Sequence, residues 1–90
     1  MKDPLIGHTV KFLDREVGFL RYGFVRKAKR VRDEPRMTAR GRRIKRPTVP
    51  GYLVELVDGT SRMVRDYEVR YVRFYDRDIT VMEFRAKKGA

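Results

Sequence analysis

Hydrophobic and polar residues along this chain alternate in short runs and do not recur every three or four positions. Thr9-Val10-Lys11-Phe12-Leu13 sets apolar against polar residues with period two, up to its final Phe-Leu pair. β-Branched and aromatic residues in that rhythm predict a strand. Asp14-Arg15-Glu16 breaks it. Gly18, Gly23 and the aromatics Phe19, Tyr22 and Phe24 predict a curled loop leading into a second strand, through Phe24-Val25-Arg26-Lys27-Ala28 and toward Val31. The clearest local signal is Asp58-Gly59 between Tyr52–Val57 and Thr60–Arg65. Asp-Gly between two β-rich runs predicts a hairpin, because glycine accepts the positive φ of a tight turn. Asp66-Tyr67-Glu68 predicts a turn, Val69 to Tyr75 a further strand and Ile79 to Phe84 a last apolar run. No segment carries a 3.6-residue period, so the pattern gives no support to a C-terminal helix, and there is no internal repeat.

Between these strands, residues 33–51 hold Pro35, Pro47, Pro50, Gly41 and Gly51 with few apolar positions. That density of proline and glycine predicts a loop of roughly 15–20 residues, long enough in a small domain to be functional or disordered. The Asp33 to Pro50 stretch is expected to be mobile, since like charges repel and little apolar surface anchors it.

Charge sharpens this picture. Of the chain's net charge of +11, most falls in one segment: Arg26, Lys27, Lys29, Arg30, Arg32, Arg36, Arg40, Arg42, Arg43, Lys45 and Arg46 stand against only Asp33 and Glu34. A nearly neutral body thus carries one strongly basic stretch, whose self-repulsion calls for an anionic partner. Each Arg or Lys that meets a phosphate releases counterions, and Arg adds a fork that holds phosphate oxygens bidentately. These eleven residues are the candidate phosphate contacts, with Arg62, Arg65, Arg70 and Arg73 as an extension. Strand alternation places Arg62 and Arg65 on opposite faces. Phe19 and Tyr22, in the expected curled loop, have two readings: packing over a small core, or stacking on bases. Phe12, Phe24, Tyr52 and Tyr71 fall at strand positions and are expected in the core.

Catalytic chemistry finds little to work with. The chain has 90 residues and no cysteine, which removes disulfides, thiolate ligands and cysteine nucleophiles together. His8 is the single histidine, and beside a strand it is expected to pack or face solvent. Asp14 with Glu16, and Asp76 with Asp78, are carboxylate pairs with arginines close by, expected to form surface ion pairs. No phosphate-binding loop, nucleophile elbow or zinc-helix motif is present. No enzyme activity, metal, cofactor or small-molecule substrate is implied. Nor is a membrane, since no apolar run approaches a span of about 20 residues. Without cysteine or an export signal, the expected compartment is the cytoplasm, at the nucleoid or on RNA.

The order of parts resembles a known layout. The opening His8-Thr9-Val10-Lys11-Phe12, the strand start Gly23-Phe24-Val25, the hairpin Tyr52-Leu53-Val54-Glu55-Leu56-Val57-Asp58-Gly59 and the closing Met63-Val64-Arg65-Asp66-Tyr67-Glu68-Val69-Arg70 follow SH3-like barrels, most closely the Tudor and KOW-type modules, over about residues 8–75. The resemblance implies an all-β, five- or six-stranded SH3-like barrel over 8–85 with a long basic loop at 33–50, an N-terminal arm at 1–7 and a C-terminal tail at 86–90. Such barrels serve many ends, so function rests on the charge. The expectation is a non-catalytic nucleic-acid-binding protein, for DNA or RNA. The alternative is a protein-interaction module docking on an acidic partner, such as polymerase or ribosome-associated machinery.

Overall fold

The fold is seen in a computed structural model that describes residues 3–33 and 47–89. Six strands make one antiparallel sheet: β1 (Thr9–Asp14), β2 (Phe19–Arg32), β3 (Thr48–Glu55), β4 (Ser61–Arg65), β5 (Val69–Phe74) and β6 (Arg77–Thr80). A single 3-10 turn, Asp66–Glu68, joins β4 to β5, and one helix, α1 (Val81–Gly89), ends the described chain. The strand order is β4-β3-β2-β1-β5-β6.

That order corrects the expected SH3-like barrel of the Tudor or KOW type. The sheet is open, with β4 and β6 as its two edges. The domain is mixed α/β, mainly strand with one helix. The physical reason lies at the C-terminal end. The free edge of β5 is taken by β6, with Tyr71 opposite Thr80 and Phe74 opposite Arg77. The chain then leaves the sheet at Thr80, and α1 delivers Phe84, fully buried, to the core.

Thr80 explains the switch from strand to helix. Its hydroxyl accepts the backbone N–H of Glu83 at 3.2 Å, satisfying a donor that the first helical turn leaves without an intrahelical partner. The apolar run Ile79 to Phe84 is therefore split between two elements: Ile79 is buried from β6 and Phe84 from α1.

The core lies on one face of the sheet. In β1, Val10, Phe12 and Asp14 point inward while Thr9, Lys11 and Leu13 alternate outward. Val25, Tyr52, Val54, Val64, Val69 and Val72 join from the other strands, and Leu5, in the segment before β1, is fully buried with them. Tyr52 fastens the periphery. Its hydroxyl donates to Asp3 at 2.8 Å and accepts from Arg85 at 2.7 Å, tying the N-terminal segment and α1 to β3. Burial, and then the Asp3 carboxylate, push the Tyr52 pKa up to about 12.

β2 is the longest element, with 14 residues. Its first half pairs with β1, from Phe19 opposite Asp14 to Phe24 opposite Thr9. Its second half pairs with β3, from Phe24 opposite Glu55 to Arg32 opposite Thr48. The expected curled loop is thus a strand, and the turn before it is only residues 15–18. That turn is folded by Asp14, whose carboxylate accepts the Glu16 N–H at 3.0 Å and whose carbonyl accepts the Gly18 N–H at 2.8 Å. Gly23 belongs in the strand because a Cβ there would lie 2.2 Å from Val54 Cγ1 and 3.1 Å from the Phe12 ring.

The expected loop at 33–50 also changes at its end. Thr48-Val49-Pro50 already belong to β3. Pro50 is tolerated because β4 pairs only from Gly51 onward, so the missing N–H falls where β3 is an edge. The rest of that loop, residues 34–46, lies outside the described residues, and so does the mobility expected of it. The Asp58-Gly59 hairpin forms as expected: Leu56 donates to the Thr60 carbonyl at 2.8 Å, and Gly59 has φ +88°.

Gly23→Ala is expected to cost about 1–3 kcal/mol through overpacking, measured as a lower urea midpoint at unchanged slope. Combining it with Val54→Ala should cost less than the two single losses added, because the second change removes the atom that the new methyl strikes.

Candidate functional site

Alternation that sends Gly23 and Val25 inward sends Leu20, Tyr22 and Phe24 to the outer face, where each is more than a third exposed. Their neighbours follow from the register. Tyr22 lies beside Lys11 of β1, Lys11 beside Tyr71 of β5, and Tyr71 beside Thr80 of β6. Two residues further along β2, Phe24 lies between Thr9 and Glu55. Three aromatics thus stand on a solvated face among cations. Lys11 Nζ is 5.4 Å from the Tyr22 ring centre, the Arg73 guanidinium 5.4 Å from the same ring and the Arg26 guanidinium 5.0 Å from the Phe24 ring.

Tyr22 is held down along the sheet. Its hydroxyl donates to Asp78 on β6, three strands away. Arg73 Nε donates to the other oxygen of Asp78 at 2.7 Å. The Tyr22 bond first, and then Arg73, hold the Asp78 carboxyl below the usual carboxylate range, and the same contact raises Arg73. A shallow groove continues past Phe24 between Thr9, Glu55 and Val57.

At Arg26 the ladder slips. Val25 opposes Val54, but the next pair is Lys27 with Leu53, so Arg26 is an extra residue in a β-bulge. It folds back to Glu55, with a 2.7 Å ion pair. The bulge puts Lys27 and Lys29 on the same outer face as Phe24. Beyond β4's last partner, Gly51, the strands β2 and β3 continue as a two-stranded ribbon through Arg30–Arg32 and Thr48–Pro50. Lys27, Lys29, Arg30 and Arg32 are all exposed, and the facing stretch from Thr48 to Leu53 holds no charged residue. Arg30 is tied to Thr48, its Nε donating to the hydroxyl at 3.1 Å. Lys27 and Lys29 make no ion pair among the described residues. The ribbon is braced beside β4: Arg65 Nε donates to the Arg32 carbonyl at 2.9 Å, and the Tyr67 hydroxyl donates to Asp33 at 2.6 Å. The latter bond, first among its causes, lifts the Tyr67 pKa to about 12. The Asp33 N–H donates to the Pro47 carbonyl at 3.0 Å, which brings the ends of the described ribbon together.

Of the eleven basic residues singled out from sequence, Arg26, Lys27, Lys29, Arg30 and Arg32 therefore share β2. Arg36, Arg40, Arg42, Arg43, Lys45 and Arg46 lie outside the described residues. Phe19 and Tyr22 are not a pair. Phe19 opposes Asp14, whereas Tyr22 opposes Lys11, so they point to opposite faces of β2. Tyr22 is joined by Phe24 and Tyr71, which sequence reasoning assigned to the core. Period two supplied the missing signal: with Val10 and Phe12 inside, Lys11 is outside, and with Val25 inside, Phe24 is outside.

Arg62 and Arg65, opposite by alternation, each meet a different buried carboxylate, Arg62 that of Asp14 and Arg65 that of Glu68. Asp14 and Glu68 are buried, at 3% and 2% exposure, which corrects the expectation of a surface ion pair at Asp14. Asp14 Oδ2 is 3.2 Å from Arg21 Nη1 and 3.5 Å from Arg62 Nε, and Arg62 also reaches Glu16 at 3.0 Å. Glu68 accepts the Arg65 backbone N–H at 2.9 Å and pairs with the Arg15 and Arg65 guanidiniums. A carboxylate buried at such cost persists because several donors meet it. Arg73 lies on the aromatic face and Arg70 is exposed on β5. Asp76 and Asp78 do not act together: Asp78 holds Tyr22 and Arg73. His8 meets the Phe84 ring edge-on at 4.8 Å, a packing role.

Among the described residues no three His, Asp or Glu side chains stand close enough to hold a metal ion, and no helix is long and apolar enough to cross a membrane. No known protein family, no curated protein and no solved structure matches the chain.

Replacing Glu68 by Gln should cost about 1–3 kcal/mol in a urea melt, less than a fully buried pair because Arg15 stays partly solvated. The exposed Arg70→Gln should leave the midpoint unchanged. A pH effect is expected from His8. Burial first, and then Lys88, hold its pKa below the ordinary 6.5, against an opposing hydrogen bond that the ring donates to the Arg73 backbone. The unfolded chain takes up that proton first, so the contribution is present above the unfolded value and lost as pH falls through and below it. The melting temperature should decline between pH 7 and pH 5, and His8→Phe should flatten that decline.

Proposed function

We propose that this chain is a non-catalytic nucleic-acid-binding protein of the cytoplasm that lays its basic β2–β3 ribbon against the phosphates of DNA or RNA. One observation carries the reading. Lys27, Lys29, Arg30 and Arg32 stand exposed on β2, and the stretch of β3 that faces them, from Thr48 to Leu53, holds no carboxylate. Ordinary solubilising surfaces mix both signs. Here one sign collects, and neutralising it with phosphates releases condensed counterions. The six further basic residues, Arg36 to Arg46, stand in sequence between the ends of the ribbon and add to the same charge.

The reading is tested by binding to duplex DNA, single-stranded DNA and structured RNA across a salt series. Affinity should fall steeply with salt. For duplex DNA, Lys27→Ala with Lys29→Ala should make the slope of log K against log salt shallower by about 2 units, from roughly 0.9 per phosphate contact. Affinity should drop by similar factors on unrelated sequences, because phosphate contacts do not read bases. Failure to bind any of the three at physiological salt would overturn the reading in favour of docking on an acidic protein.

A further inference from the structure

We propose that the outer face of the sheet takes an unpaired stretch of nucleic acid along β2, with bases stacking on Tyr22 and Phe24 beside Tyr71 and with phosphates following onto Lys27 and Lys29. This rests on the nucleic-acid reading above and names the form of nucleic acid that the site prefers.

The solvated face of an antiparallel sheet ordinarily carries polar residues. Here Tyr22 and Phe24 of β2 and Tyr71 of β5 occupy it, at 43%, 37% and 39% exposure, on the two strands that flank β1. They are not loose. Tyr22 is pinned along the sheet by Asp78, and Arg26 stands over Phe24. A ring already fixed in place loses little further freedom when a base stacks on it.

Charge selects the occupant. Lys11, Arg26 and Arg73 border the rings, and the carboxylates nearest to them are each already paired, Glu55 with Arg26 and Asp78 with Arg73. The surface therefore offers flat apolar rings in a positive field, which suits a polyanion that carries flat rings of its own. A duplex does not meet that description, because its bases are stacked on one another and show side chains only their edges. Unpaired bases can be splayed onto aromatic side chains, and such stacking tolerates any sequence.

The path is continuous. Tyr22, Phe24, Lys27 and Lys29 share one face of one strand, because the bulge at Arg26 resets the alternation. From Tyr22 to Lys29 the strand runs about 23 Å at roughly 3.3 Å per residue. That is enough for a site at the lower end of the roughly 4–16 nucleotides known for single-strand binding modules.

The test compares a fluorescent 12-nucleotide oligo(dT) with a duplex of the same length, by anisotropy at physiological salt, using the full chain. Wild type should favour the single strand. Tyr22→Leu and Phe24→Leu keep an apolar side chain on the strand but lose the ring. Each should weaken oligo(dT) binding by about five- to one-hundred-fold and leave duplex binding and the melting temperature nearly unchanged. Lys27→Ala with Lys29→Ala should weaken both probes. If the leucine variants bind oligo(dT) like wild type, or lose both probes equally while still folded, the inference is overturned and the ribbon reading survives. If neither probe binds wild type, both fall. Poly-glutamate that binds as tightly as oligo(dT), with no response to Tyr22→Leu, would likewise overturn the stacking site and point to an acidic protein partner.

Discussion

Everything in this fold hangs on one strand serving two partners. β2 pairs with β1 up to Phe24 and with β3 from Phe24 onward, so the two ladders share a single residue. At that crossing the side chains of Val54 and Phe12, from the two partners, both close over Gly23. Any Cβ at Gly23 would push them apart, and with them the two halves of the core. The bulge at Arg26 comes immediately after the crossing, where the strand must change neighbours and twist. Core packing thereby sets the placement of every outward residue along β2. The inner face fixes the register, and a strand with fixed register has no choice about what it shows to solvent.

The charges divide along the same line. Inside, at the far end of β1, Asp14 and Glu68 gather Arg15, Arg21, Arg62 and Arg65. Such pairs contribute little net free energy against hydrophobic replacements, but breaking one leaves a buried charge, so they restrict which turn can sit there. On the ribbon the carboxylates run out. Lys27 and Lys29, on one face, are about 6.6 Å apart along the strand, within the Debye length of about 8 Å at physiological ionic strength. Their repulsion is only partly screened, and any polyanion laid across them relieves it.

What the sequence made legible follows from how local each feature is. The Asp58-Gly59 turn needs only the residues that form it, and β1 needs only its own alternation. β2 was harder because Gly23 between aromatics has the composition of a loop, and the contact that demands glycine comes from Phe12 and Val54, distant in sequence. The end of β6 did carry a local mark, Thr80 with Glu83 three residues on, which is a helix-start pattern that the apolar run Ile79 to Phe84 masked. Open and closed sheets share the same order of strands and turns. Which edges remain free depends on β6 and α1, beyond the part that resembled a barrel. For the site, the cations of β2 could be counted directly. Phe24 and Tyr71 were assigned inward because apolar residues favour the core, but that rule runs one way only, and much of a folded surface is apolar.

The bulge also decides which cations accompany the aromatic face. Without an extra residue at Arg26, strict alternation after Phe24 would bring out Arg26, Ala28 and Arg30. That row has a gap at Ala28, and its last guanidinium is tied to Thr48. With the bulge, Lys27 and Lys29 come out in their place, and neither has an ion-pair partner among the described residues. Arg26 itself turns back over Phe24 and neutralises Glu55, the residue opposite that ring on β3. One inserted residue thus removes a nearby negative charge and aligns two unpaired ammonium groups with the rings. No change of composition would do the same, since the cations are already present in either register. Their availability to a ligand is set by backbone geometry, and that geometry is imposed from the core side of the sheet.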